Sequence, residues 1–422
     1  MSSFVSFSSR LAAALLGACV LLSAPSALGD DWPQFRGPNR DDVSKETGLL
    51  QQWPAGGPKL AWKTTGLGGG FSGVSVVAGH IYTMGEDAAS CCVRALDEAT
   101  GKLLWSAKGG AVGGGNGHPG PRCTPAVAGD RIVALGQFGD LVCLEAGNGQ
   151  EIWRTNLATD LGGVMMSDWG YSESPLVDGN LVVCTPGGAQ GTLAALDLTT
   201  GKLVWRSKEW TDKAAYSSIV AATIAGVKQY IQLTDRSVAG VSSADGKLLW
   251  KAARPGRTAV VPTPIVAGNL VYVASGYSAG SNLFRLEAAG GKFTAQQVYG
   301  SKEMVNHHGG VVKIGDYAFG FSDGNAGWSW QDFATGTLVS SDKTKLGKGS
   351  VTFADGRLYL RAEAGKGTVV LLDPSAKGWN EQGRFDQPDR SQLNSWPHLV
   401  VANGRLFIRD QDVLLAYDVK QK

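Results

Sequence analysis

The stretch ALDEATGKLLW at residues 95–105 returns as ALDLTTGKLVW at 195–205. Two looser copies, CLEAGNGQEIW (143–153) and GVSSADGKLLW (240–250), keep its outline. The shared template is A-x-D-x-x-T-G-x-x-x-W. Its closing tryptophans, Trp105, Trp153, Trp205 and Trp250, are spaced by 48, 52 and 45 residues. A period of that size belongs to solenoids and propellers. The upstream segments decide between them. SGVSVVAGHIYTMG, TPAVAGDRIVALG, SPLVDGNLVVCTP and TPIVAGNLVYVASG each read strand, glycine turn, strand. With the two strands around the template's own turn, every unit has four strands, which is one propeller blade.

Weaker units extend the series. SNLFRLEAAGGKFTAQQVY is a worn copy whose tryptophan position falls near Ala295. WQDFATGTLVS keeps Asp332, Thr335 and Gly336 but has Ser340 where the tryptophan belongs, and VVLLDPSAKGWNEQGRF is the most eroded. The C-terminal LLAYDVKQK supplies Ala416 and Asp418 without a last strand, and GPKLAWKTT, with Trp62, supplies that strand from the other end. The expectation is an all-β fold, an eight-bladed β-propeller over 57–422 with a tryptophan-docking motif. Its last blade is closed by N- and C-terminal strands, Lys59–Lys63 lying beside Leu414–Asp418, which removes exposed sheet edges. Within the motif the aspartate and threonine bond the turn backbone. The glycine supplies positive φ. The tryptophan wedges against the neighbouring blade.

Residues 1–29 are set apart as an export signal: Arg10, an apolar run from Leu11 to Leu22, then SAPSALG. LGAC at 16–19 resembles a lipobox with Cys19 as the lipidated residue, but the apolar run continues past it, so soluble export is preferred. Residues 30–56 form an N-terminal arm. The expected location is periplasmic or secreted, as a monomer with no transmembrane span. Without Arg10, 38 of the 39 Lys and Arg remain against 37 Asp and Glu. So balanced a chain, with no basic runs, argues against nucleic acid. Five cysteines follow the signal, with no Cys-x-x-Cys among them, which indicates neither a zinc site nor a disulfide framework.

The repeat resembles the tryptophan-docking motif of quinoprotein-like propellers, named for pyrroloquinoline quinone, and the resemblance covers essentially all of 57–422. The arm DWPQFRGPNRDDVS (31–44) is similar to the start of secreted bacterial members. The family includes quinone-dependent dehydrogenases and a non-catalytic lipoprotein scaffold of outer-membrane barrel assembly. The resemblance therefore implies the fold more strongly than an activity. Some of its alcohol dehydrogenases carry a vicinal disulfide. Here Cys91 and Cys92 run straight into a strand whose alternation separates their sulfurs.

In a propeller, the loops that enter each innermost strand share one face with the loops between second and third strands. That face holds Phe71, His118, Arg122, Asp168, Trp169, Tyr171, Glu173, Tyr216, Asn306, His307, His308, Lys348, Trp396 and His398. The second-to-third loops add Asp235, Arg236, Asp323, Arg361, Glu363, Arg409 and Asp410. So many aromatic, His and charged residues exceed what plain connecting loops need, which suggests a small-molecule site. In SDWGYSESP (167–175), Asp168 or Glu173 offers a base or a calcium ligand, and Trp169 or Tyr171 a stacking surface. The bland alternative is a loop whose acids cap backbone amides. Adjacent histidines in a strand point to opposite faces, so only one of His307 and His308 is expected in the funnel.

If the resemblance extends to the cofactor, pyrroloquinoline quinone and calcium would be held by Arg122, Arg236, Arg361 or Arg409 against its carboxylates. Trp169, Tyr171, Trp396, His307 and His398 would surround it. Glu173, Asn306 and Asp323 would ligate the metal, and Asp168 or Glu173 would act as base on an alcohol or sugar. Eight blades and an arm leave little chain to roof such a cofactor, which favours the other reading, an envelope-protein scaffold. GGGFSG (68–73), GNGHPG (115–120), GYSAG (276–280) and GFSDG (320–324) match nucleotide-binding or hydrolase patterns. None sits at the strand-to-helix junction those functions require.

Overall fold

The computed structural model describes residues 30–113, 117–325 and 327–421, together with Met1. The export signal and Cys19 lie outside the described residues, Met1 apart. Every named element is a β-strand, and no helix is long and apolar enough to cross a membrane. Eight antiparallel sheets form the blades. Blades 1 to 7 occupy 75–110, 126–156, 176–206, 220–253, 265–301, 311–342 and 349–385. Blade 8 combines Val400–Ala402, Arg405–Asp410 and Val413–Asp418 with Lys59–Thr64. The seam pairs Lys59 with Asp418, Leu60 with Tyr417 and Thr64 with Leu414, so the two ends of the propeller lie side by side as expected.

Neighbouring blades are joined by the repeat's indole and glycine. A Cβ on Gly101, Gly149, Gly201 or Gly246 would lie 2.3–2.6 Å from Trp62, Trp105, Trp153 or Trp205 of the preceding blade. These glycines also have φ near +70°, so the position is restricted twice. Three of the indoles donate Nε1–H to the carbonyl of the next blade's turn: Trp62 to Glu98, Trp105 to Ala146 and Trp153 to Leu198.

The worn units keep this contact by other means. In blade 5 the docking residue is Tyr299, whose ring covers Gly336 and whose hydroxyl donates to the Phe333 carbonyl at 3.1 Å. The expected position near Ala295 is wrong because the hairpin strands Gly280–Ala289 and Lys292–Ser301 are longer than in other blades. That blade has no Thr-Gly turn to receive Trp250, whose Nε1 donates back to Gln229 of its own blade at 2.5 Å. Ser340 replaces an indole but still donates to Ala376 of the next blade. In blade 7 the corresponding position is Gly383, and Trp53 of the arm packs onto it.

The arm also fills the centre of the ring. Trp32 bridges to Val76 in blade 1, and Arg40 donates to the carbonyls of Pro175, at 3.1 Å, and Ser174 in the loop that enters blade 3. Arg36 donates to Val311 in blade 6 at 2.7 Å. Val43–Ser44 then runs parallel to the innermost strand of blade 7. Arg36, Gly37, Arg40 and Asp42 all have positive φ, so the chain reverses tightly inside the channel. The arm is a plug.

Candidate functional site

Above the plug lies a cavity of about 190 Å³. Its walls are the loops that enter the innermost strands, joined by Tyr277 from the second-to-third hairpin of blade 5. Its floor is Trp32, Phe35 and Arg36 of the arm. An aromatic collar runs around the wall. Phe71 and Trp396 stack at 4.2 Å between ring centroids, and Trp396 lies 5.0 Å from His118 and 5.1 Å from His308. Trp169 leans on Tyr216 at 6.0 Å, and Tyr277 meets His307 edge-on at 4.7 Å. The buried Nε1–H of Trp396 has no protein acceptor.

Each polar group in the wall has a distinct setting. Arg122 donates to Gln137 at 3.0 Å, to the Trp169 carbonyl at 2.8 Å and to the His118 carbonyl at 2.6 Å. Burial lowers its guanidinium to about 10. Lys348 Nζ lies 3.0 Å from His307 Nδ1 and 3.0 Å from Asp323. An ammonium only donates, so His307 Nδ1 accepts and its Nε2 carries the proton. Burial, with help from Lys348, lowers His307 to about 4, so this imidazole is neutral at pH 7. His308 Nδ1 lies 3.1 Å from Glu363. Burial drives His308 well below its ordinary value and pushes Glu363 up to about 7. His398 Nδ1 lies 2.9 Å from Asp42, whose same oxygen is 2.9 Å from Arg36 Nε, so the plug orients a wall imidazole.

The cavity thus gathers Arg122, Trp169, His307, Trp396 and His398 from the sequence-derived set. His307 and His308 both line it, contrary to the alternation argument. They lie in a bend before the innermost strand of blade 6, with their rings 4.5 Å apart, where Gly309 and Gly310 adopt positive φ. Other candidates lie elsewhere. Tyr171 is buried and donates to Pro186 at 3.1 Å. Glu173 is fully buried, accepting from the Thr185 amide at 2.5 Å and hydroxyl at 2.7 Å. Asp168 is exposed. Arg236 is 73% exposed beside Asp235. Arg361 is buried in a web with Ser395, Gln387 and Asp410, and Arg409 donates to the Gly68 carbonyl at 2.9 Å. Asn306 is buried and staples Gly310 to Phe321. Sequence reasoning missed Tyr277, Phe35, Arg36 and Asp42. The positive-φ reversal that aims the arm inward leaves no pattern in composition.

The family model described as outer membrane protein assembly factor BamB, built on the PQQ repeat, matches residues 89–331. The chain belongs to this PQQ-repeat family. No curated protein matches its sequence. Among solved structures it is similar to BamB from Moraxella catarrhalis, at 16% identity and a TM-score of 0.54, covering 80% of this chain and 94% of that one. It is also similar to quinohemoprotein alcohol dehydrogenase from Comamonas testosteroni, at 12% identity and a TM-score of 0.63, covering 93% of this chain and 81% of that one. A computationally designed protein, Ika8, matches at 13% identity and a TM-score of 0.57, covering 86% of this chain and all of that one. At these identities the shared feature is the propeller fold.

The residues present do not fit a quinone with calcium. Glu173 spends both oxygens on Thr185 and Asp323 is paired with Lys348, so of the expected metal ligands only Asn306 keeps an oxygen, Oδ1, without a protein partner. Among the described residues no group of three or more His, Cys, Asp or Glu is placed to hold a metal ion. Arg361, expected at the quinone carboxylates, is committed to contacts between blades 7 and 8, and Arg409 to the Gly68 carbonyl ahead of blade 1. Cys91 and Cys92 are both buried free thiols.

Proposed function

We propose that the funnel binds a small uncharged ring compound rich in hydroxyls, of the sugar or cyclic polyol class. The observation that carries this reading is the cavity collared by aromatics, in whose wall the Trp396 ring stacks on Phe71 at 4.2 Å. Aromatic faces stack on the C–H faces of such rings while N–H and imidazole groups bond their hydroxyls. His307 offers a donor at Nε2, and the ring nitrogens of His308 and His398 remote from their carboxylates add further polar contacts. Export to the envelope belongs to the same reading, supported by the Arg10–Leu22 pattern and by the family.

Tryptophan fluorescence of the purified protein, titrated with monosaccharides and cyclic polyols, tests this. A saturable change is expected, and Trp396→Ala should weaken binding by about tenfold or more while leaving the melt close to wild type. Absence of any saturable response, or a response that survives Trp396→Ala, overturns the reading. Pyrroloquinoline quinone with calcium forms a second arm. Saturable quenching with turnover of an alcohol would restore the dehydrogenase alternative.

A second reading, a scaffold for envelope proteins, is supported by the BamB description of the family model and by apolar pairs on outermost strands. Leu103 and Leu104, Leu203 and Val204, and Leu338 and Val339 are all exposed. Under it, Leu203→Glu with Val204→Glu would abolish protein association and leave the funnel's response to sugars unaltered.

A further inference from the structure

The hairpin that places Tyr277 in the funnel has a second cavity on its other side, of about 370 Å³, at the rim between blades 4 and 5. Its wall contains Arg254, Arg257 and Lys302, with the amide side chains of Asn282 and Gln297. Among the described residues no carboxylate lines it. Two of the cations are held close together. Lys302 Nζ donates to the Ser278 carbonyl at 2.6 Å and the Ala279 carbonyl at 3.0 Å, and Arg254 Nη2 donates to the next carbonyl, Gly280, at 2.6 Å. Arg254 Nε adds a bond to Asn282 at 3.2 Å, which ties the guanidinium to the floor of the cavity.

Arg254 is 2% exposed, and its hydrogen-bond partners are neutral oxygens. Burial lowers it to about 10, the response of a charge removed from water without a counter-charge. Arg257 is exposed at the same wall. Asp235, whose backbone carbonyl accepts from the Gly256 amide at 2.8 Å, turns its carboxylate to Arg236 at 3.7 Å and does not line the cavity. Three positive groups around one open space, two of them fixed on successive carbonyls of one turn, repel each other until an anion enters. We propose that this rim cavity binds a tetrahedral oxyanion, a phosphate or sulfate group, on Arg254, Arg257 and Lys302. A dianion matches the charge and the fork of guanidinium donors better than a carboxylate does.

The test is isothermal titration of the full chain with inorganic phosphate, sulfate and acetate at low ionic strength. Phosphate, sulfate or both should saturate, with acetate about tenfold weaker or more. Arg257→Ala with Lys302→Ala removes two exposed side chains, so the fold should survive, and anion binding should fall by about tenfold or more. Trp396→Ala should leave it unchanged, which separates this cavity from the funnel. The proposal is overturned if neither anion saturates, if acetate binds as well as they do, or if the double variant binds like wild type.

Discussion

Glu173 illustrates what a single buried carboxyl does to this molecule. Both oxygens accept from Thr185, and burial pushes the group up to about 7 from an ordinary 4.5. Arg40 of the plug opposes the shift but does not cancel it. A carboxyl whose folded value is raised favours folding below its unfolded value. Its contribution is fully present below about pH 4.5 and is lost as pH climbs through about 7. The amount is on the order of 1–3 kcal/mol. Glu173→Gln should flatten that decline. Urea unfolding at pH 5 and pH 8 should show a smaller loss in the variant than in wild type, and equal losses would show that the carboxyl is not strained by burial. The same segment shows how far a site can be read from letters. The richness of SDWGYSESP pointed to the funnel, and Trp169 is in its wall. Tyr171 and Glu173 are turned into the sheet packing, because which way a loop side chain faces depends on the neighbouring blade.

At the scale of the element, the joint between blades depends on a glycine for two separable reasons. Gly129 and Gly149 both have positive φ, but a Cβ on Gly129 meets nothing within 4 Å, whereas one on Gly149 would lie 2.6 Å from Trp105. Gly129→Ala should cost about 1–2 kcal/mol for the left-handed backbone. Gly149→Ala should cost that and roughly 1–3 kcal/mol more for the displaced indole. Thermal melts of the two variants give the difference, and equal destabilisation would mean that the indole yields freely. The four clear repeats were legible because this contact needs the same two letters each time. The worn units were legible only as strands. Tyr299 docks from a longer hairpin, and Trp53 reaches Gly383 from more than three hundred residues away in sequence, so neither keeps the spacing.

The whole molecule rests on two uses of its N-terminal region, and they should fail differently. Lys59–Thr64 is structural for the ring, because it pairs with Val413–Asp418, whose Leu414, Leu415 and Ala416 are fully buried. Residues 30–42 instead fill the channel and set the floor of the funnel through Phe35 and Arg36. Removing 413–421 strips the partner from one strand and the neighbour from Arg405–Asp410, leaving two open edges and an unfilled blade. Cooperative thermal unfolding should disappear. Removing 30–42 takes Arg36 and Asp42 away as a pair, so it strands neither member of that ion pair. It also leaves the seam and Trp53 in place. That variant should keep one cooperative transition at a lower temperature, while His398 loses its carboxylate and the funnel loses its floor, so funnel binding should vanish. A plug deletion that unfolds the ring would show that the channel filling, rather than the seam, holds the blades together.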